Sequence, residues 1–141
     1  MTAPADAKTL RFGLWLLLVS APLGLTLEAL HALKVQVYLG SPMRRELWTL
    51  AHAHGNLLGI LCLVMAAVGE RCCPEPGARG RMLAALRLGA LLMPLGFFLG
   101  GVLNREGDPS LFVLMVPAGA LCLVFAFVRA ILGRPRPDAS A

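Results

Sequence analysis

The residues with the most chemistry in them are Glu28, His31, His52 and His54. Imidazole nitrogens are common ligands for transition metals and haem iron, and a carboxylate beside them can act as a further ligand or as a proton carrier. Glu28 and His31 stand three apart, so on a helix they share a face, as do Thr49, His52 and Asn56 with Gly59 beyond them. His52 and His54 are two apart, about 200° around a helix, so their rings point to nearly opposite sides and do not jointly hold one ion without distortion. Asn104, Arg105, Glu106 and Asp108 form a further polar group. One reading of these residues is a haem or metal site with imidazole ligands from different helices; the other is hydrogen bonding that ties the helices together. Glu28 carries a similar pair of readings, a functional charge or an ion pair with Arg105 or His52.

The elements that must hold these residues follow from the hydropathy pattern. Of the 141 residues 57% are hydrophobic and 15% charged, against roughly 25% charged in soluble proteins, which excludes a water-soluble globule and a disordered chain alike. The apolar stretches cover 12–33, 47–69, 82–103 and 111–132. Each has about 22 residues, enough to cross about 30 Å of hydrocarbon. They are apolar on nearly every side and do not alternate, which predicts helices and not a barrel. The expected fold is an all-α membrane protein: one membrane domain over residues 1–141, a four-transmembrane-helix bundle running up and down, with a short polar tail at 133–141. The first stretch follows Lys8 and Arg11 as a secretory signal would, but it is too long for a signal core and no small-x-small site closes it before Glu28, so it reads as a retained helix. Ser41-Pro42 and Asp108-Pro109 each set a capping side chain before a proline at a first helical position. Gly55 with Gly59, and Gly96 with Gly100, predict close approach to another helix. Pro22-Leu23-Gly24 recurs as Pro94-Leu95-Gly96, either from a duplicated hairpin or by chance in leucine-rich sequence.

Four crossings put the N-terminus, the 70–81 connection and the C-terminus on one side. Lys8, Arg11, Arg71, Arg79, Arg81, Arg87, Arg129, Arg134 and Arg136 belong to that side, nine of the 13 Lys and Arg, against Lys34, Arg44, Arg45 and Arg105 opposite. Both termini are therefore expected in the cytoplasm. The net charge of +5 sits beside the apolar stretches without a basic stripe carrying aromatics, so no nucleic-acid partner is expected. Cys72 and Cys73 fall in the reducing compartment and Cys62 and Cys122 inside spans, with no metal-ligand or disulfide spacing among them. On this topology the histidines, Glu28, Asn56 and the 104–108 group converge at the non-cytoplasmic end. Counted from the span ends, Glu28 and His52 lie at one level, about 7 to 8 Å below the boundary.

The run Trp48-Thr-Leu-Ala-His-Ala-His-Gly55 resembles one carried by a group of small, uncharacterised bacterial four-helix membrane proteins. The similarity extends over most of the chain, including Glu28 to Tyr38 and the Gly100-Gly101 to Pro109 corner, and it implies a multi-pass protein of the bacterial inner membrane without bringing an activity. Ala51-His52-Ala53-His54 also resembles the Ala-His-x-His helix of haem-copper oxidase main subunits, whose two histidines point to opposite faces and ligate two haems. That resemblance implies haem chemistry. The chain is far too short for the oxidase core, however, it has no separate set of copper ligands, and its only tyrosine is Tyr38, in a loop. What remains of the resemblance is a b-type haem held by His31 with His52 or His54, or a single transition-metal ion.

Three functions follow. The first is a small membrane protein with a haem or metal site formed by His52, His31, His54 and Glu28, supported by Asn56, Thr49, Asn104 and Arg105. The second is a structural or interaction subunit of a membrane complex without cofactor, its partners being the bilayer and either further copies of the chain or other subunits. The third is a small proton-coupled transporter, because four-helix multidrug transporters also carry one glutamate in the first span, although near the midplane, whereas Glu28 is near one mouth. There is no phosphate-cradling glycine loop and no nucleophile with a base and an acid at recognisable spacing, so an enzyme is not the expectation.

Overall fold

The computed structural model describes residues 6–104 and 108–133. Arg105 and Glu106, and the polar tail from Arg134 onward, lie outside the described residues. Among those described the chain is helical with no strand. Helix α1 covers Ala7–Ala32, the short α2 Gln36–Leu39, α3 Pro42–Cys72 and α4 Pro76–Val102; a 3-10 turn over Leu111–Leu114 runs into α5, Met115–Leu132. Four of these elements, the last counted from Leu111, are long and apolar enough to cross a membrane.

The ends of the helices follow from local chemistry. Asp6 caps α1 by accepting from the Thr9 amide at 2.7 Å, and Ser41 caps α3 by accepting from the Arg44 amide at 3.2 Å with Pro42 next to it, as its sequence indicates. Glu75 does the same for α4, where its carboxylate accepts from the Gly77 and Ala78 amides. Those two amides hold the Glu75 carboxyl below the usual range. Asp108 and Pro109 do not cap the last helix. It opens at Ser110 without a side-chain cap, because the Ser110 hydroxyl donates to the Leu99 carbonyl instead. Helix α3 stops at Cys73, whose extended backbone is what a residue preceding Pro74 prefers.

Helices apolar on every side gain little by hiding side chains from lipid, so they associate where backbones come close. Gly13 of α1 lies against the Gly59 carbonyl of α3, which is 2.8 Å from where a Cβ on Gly13 would stand, and Gly89 of α4 lies as close to the Gly119 carbonyl of α5, at 2.7 Å. Gly55 packs on Ser20 of α1, Gly96 on Met115 and Val116 of α5, and Gly100 on Leu47 and Val113, so both glycine pairs singled out in the sequence meet other helices. These contacts run in opposite directions along each pair, making α1 and α3, α3 and α4, and α4 and α5 antiparallel neighbours. The buried centre lies between α3, α4 and α5, around Leu58, Cys62, Met82, Leu83, Leu86 and Leu123.

The bundle is open. α3 packs on α1 and α4, and α4 on α3 and α5, whereas α1 and α5 share no close contact. Away from their neighbours α1 and α5 present bulky side chains, Leu14, Trp15, Leu18 and Leu25 on the one and Leu121, Phe125 and Val128 on the other, all exposed.

Candidate functional site

His52 stands in the third turn of α3 and faces α1. A carbonyl only accepts, so its Nδ1 carries the proton donated to the Ser20 carbonyl at 2.8 Å. The ring fits there because residue 24 is glycine; a Cβ at that position would stand 2.7 Å from both ring nitrogens. The Asn56 side chain, one turn on, donates to the His52 carbonyl at 3.1 Å and lies 3.4 Å from Nε2. His54 points the other way, toward α4. Its Nδ1 donates to its own helix at the Leu50 carbonyl, 2.9 Å away, and the ring lies over Phe97 with centroids 4.9 Å apart. The expected divergence of the two rings is thus realised, each ring against a different helix. His31 is exposed at the end of α1, with its ring edge-on to Tyr38 at 6.5 Å.

Glu28 and His52 do not meet. His52 lies beside Gly24, one turn short of Glu28, because α3 begins at Pro42 and not at the start of its apolar stretch near Leu47. The level opposite His52 is therefore set by five further residues of helix. Glu28 is exposed, and so is Thr49. Thr49 leaves the stripe of His52, Asn56 and Gly59 open at its upper end, so the seam faces inward only from His52 down. Among the described residues no three His, Cys, Asp or Glu side chains come together to hold a metal ion.

What does converge at this end is a lock around Arg44 and Trp48, neither of which the sequence pattern marks as a site. The Arg44 guanidinium donates to the Gly101 carbonyl at 3.0 Å, the Val37 carbonyl at 2.6 Å and the Asn104 side-chain oxygen at 3.0 Å. Asn104 in turn donates to the Ser41 hydroxyl at 3.2 Å. Trp48 stacks between Tyr38 and Phe98, at 6.1 and 5.7 Å, and its indole donates to the Phe98 carbonyl at 3.2 Å. Tyr38, read from sequence as a loop residue, is buried in α2. Four successive carbonyls at the end of α4 thereby gain donors: Phe98 from Trp48, Leu99 and Gly100 from Ser110, and Gly101 from Arg44. Gly100 and Gly101 are among the last carbonyls, which a helix leaves unpaired, and a guanidinium complements the partial negative charge at that end. The one available signal was the spacing of Arg44 and Trp48, four apart just inside a capped helix start.

The opposite end holds a smaller network. Arg87 of α4 donates to the Thr9 hydroxyl at 2.6 Å and lies 3.7 Å from Asp6. Thr9 is wholly buried. Partial burial works against ionisation of Asp6, but the hydroxyl and amide of Thr9 and the Arg87 guanidinium outweigh it and hold the carboxyl below the usual range. No family model, curated protein or solved structure matches the chain.

Proposed function

We propose that the chain is a multi-pass protein of the bacterial inner membrane, with both termini cytoplasmic, that serves as a structural or interaction subunit of a membrane complex without a cofactor of its own. The observation that carries this reading is the use to which the polar residues are put: His52, Arg44 and Trp48 all donate to backbone carbonyls of a neighbouring helix. Of the groups that the sequence offers as ligands, His52 acts as a fastener between helices. Exposure of Glu28 supports the same reading. Helix α1 has 26 residues, about 39 Å at 1.5 Å per residue against about 30 Å of hydrocarbon, so each end overhangs by about 4 to 5 Å and Glu28, about 6 Å from one end, sits at the hydrocarbon boundary within reach of the headgroups. The charge count supports the orientation, since Arg71, Arg79 and Arg81 flank the α3–α4 connection at the same end as Asp6 and Gly133. The open row supports a subunit role, because α1 and α5 each leave one apolar side for lipid or a neighbour.

The test is a comparison of three variants by thermal melting in mild detergent. His52→Ala is expected to cost about 1–2 kcal/mol through its lost bond to α1, while His31→Ala and Glu28→Gln stay within about 0.5 kcal/mol of the parent. Equal losses from all three would indicate one coupled cluster and contradict the proposal.

A further inference from the structure

We infer that the groove between the end of α1, α2 and the start of α3 seats the phosphate of an anionic phospholipid headgroup, an inference that rests on the membrane-spanning reading. The groove is open, about 420 Å³, and lined by His31, Tyr38, Arg45, Glu46 and Thr49 among others. Two arginines stand side by side at this end, and among the described residues only Arg44 has acceptors. Arg44 is committed to the Gly101 and Val37 carbonyls and to Asn104. Arg45 lines the groove with its Nε buried and, among the described residues, without an acceptor. A guanidinium donor shielded from water and unpaired is unfavourable, and an acceptor entering the groove removes that cost.

The donors suit a phosphate. Arginine presents a fork that matches two phosphate oxygens, and Thr49, exposed one turn further along the same face, adds a hydroxyl. Tyr38, buried at 6% exposure, gives the groove a fixed wall through its stack on Trp48. The position selects a lipid over a free anion. The groove lies where the apolar stretches of α1 and α3 end, and Leu33 and Val37 beside it are 76% and 66% exposed, so a headgroup here keeps its acyl chains along apolar surface. Glu46, on the groove, opposes an anion and provides a contrast for the test.

The experiment is native mass spectrometry of the full chain in detergent, titrated with phosphatidylglycerol, with phosphatidylcholine, and with inorganic phosphate as competitor. Phosphatidylglycerol is expected to bind at least about fivefold more tightly than phosphatidylcholine, with Arg45→Gln losing about tenfold and Glu46→Gln gaining a few-fold, as charge-assisted contacts to phosphate imply. Thr49→Val, which keeps the guanidinium, is expected to lose about threefold and guards against misfolding of the arginine variant. Unchanged binding by Arg45→Gln with a parent-like melt, or equal retention of the two lipids, would overturn the inference. Displacement of the lipid by inorganic phosphate at equal concentration would assign the groove to the free ion and overturn the lipid. Release of the chain from its native membrane by alkaline extraction would instead defeat the membrane reading, whatever Arg45 does.

Discussion

Lys34 has a left-handed backbone, with φ of 52°, the one such non-glycine among the described residues. It follows the last turn of α1 in a paired-bond cap, where the Val35 amide reaches back to the Leu30 carbonyl at 3.0 Å and the Lys34 amide to the His31 carbonyl at 3.1 Å. Glycine is the residue that such a cap ordinarily uses, because a Cβ is crowded in that conformation. Lys34→Gly is therefore expected to stabilise the protein by up to about 1 kcal/mol, read as a higher melting midpoint; a lower midpoint would show that the lysine side chain contributes more than its backbone costs. At this scale part of the site was legible. The opposed directions of His52 and His54 need only the helical angle, and each ring indeed lies on a different helix. The level of His52 was not legible, because hydropathy marks where the apolar run begins and says nothing of the polar turns of α3 that precede it.

At the scale of the element, the end of α4 depends on a residue from another helix. Arg44 supplies three donors in fixed directions, which a lysine ammonium on its flexible stem does not reproduce. Arg44→Gln is expected to cost about 2–3 kcal/mol and Arg44→Lys somewhat less, with hydrogen exchange accelerated first at Phe98 to Val102. Uniform exchange along α4 in both variants would argue against the cap. The start of α1 has its own signature in pH. The Asp6 carboxyl is held below its ordinary value of 3.8 in the folded chain, so its contribution to stability is present above that pH and is lost as the pH falls through the folded value. Melting midpoints of the parent are expected to fall below about pH 4 more steeply than those of Asp6→Asn. Parallel pH curves would remove Asp6 as a contributor. Helix existence and the Ser41 cap, with Pro42 beside it, could be read from residue types, whereas Asp6 has no proline after it and Glu75 is not among the usual capping residues. The trans-acting cap by Arg44 requires knowing which helix ends lie beside which.

At the scale of the whole molecule, the repeated Pro-Leu-Gly acquires a meaning that composition alone could not give. Gly24 and Gly96 each face the second helix of their own hairpin, at His52 and at Met115 and Val116. The two prolines differ because the hairpins sit differently in the row: Pro22 is exposed on the outer helix and Pro94 buried on a central one. The open row was not legible, since closure depends on whether α1 and α5 present small residues to each other, and their outward sides present bulky ones. On the proposed function His52 and Arg44 tie neighbouring helices of this row together and the chain binds no cofactor. The most direct measurement is a reduced-minus-oxidised visible spectrum of the purified protein, with elemental analysis of the same sample after expression with haem precursor and metal supplements. The expected result is no haem band and metal far below one per chain, in the parent and in His52→Ala alike. A haem band, or near-stoichiometric metal that disappears in His52→Ala, would contradict the account and make His52 Nε2 a ligand.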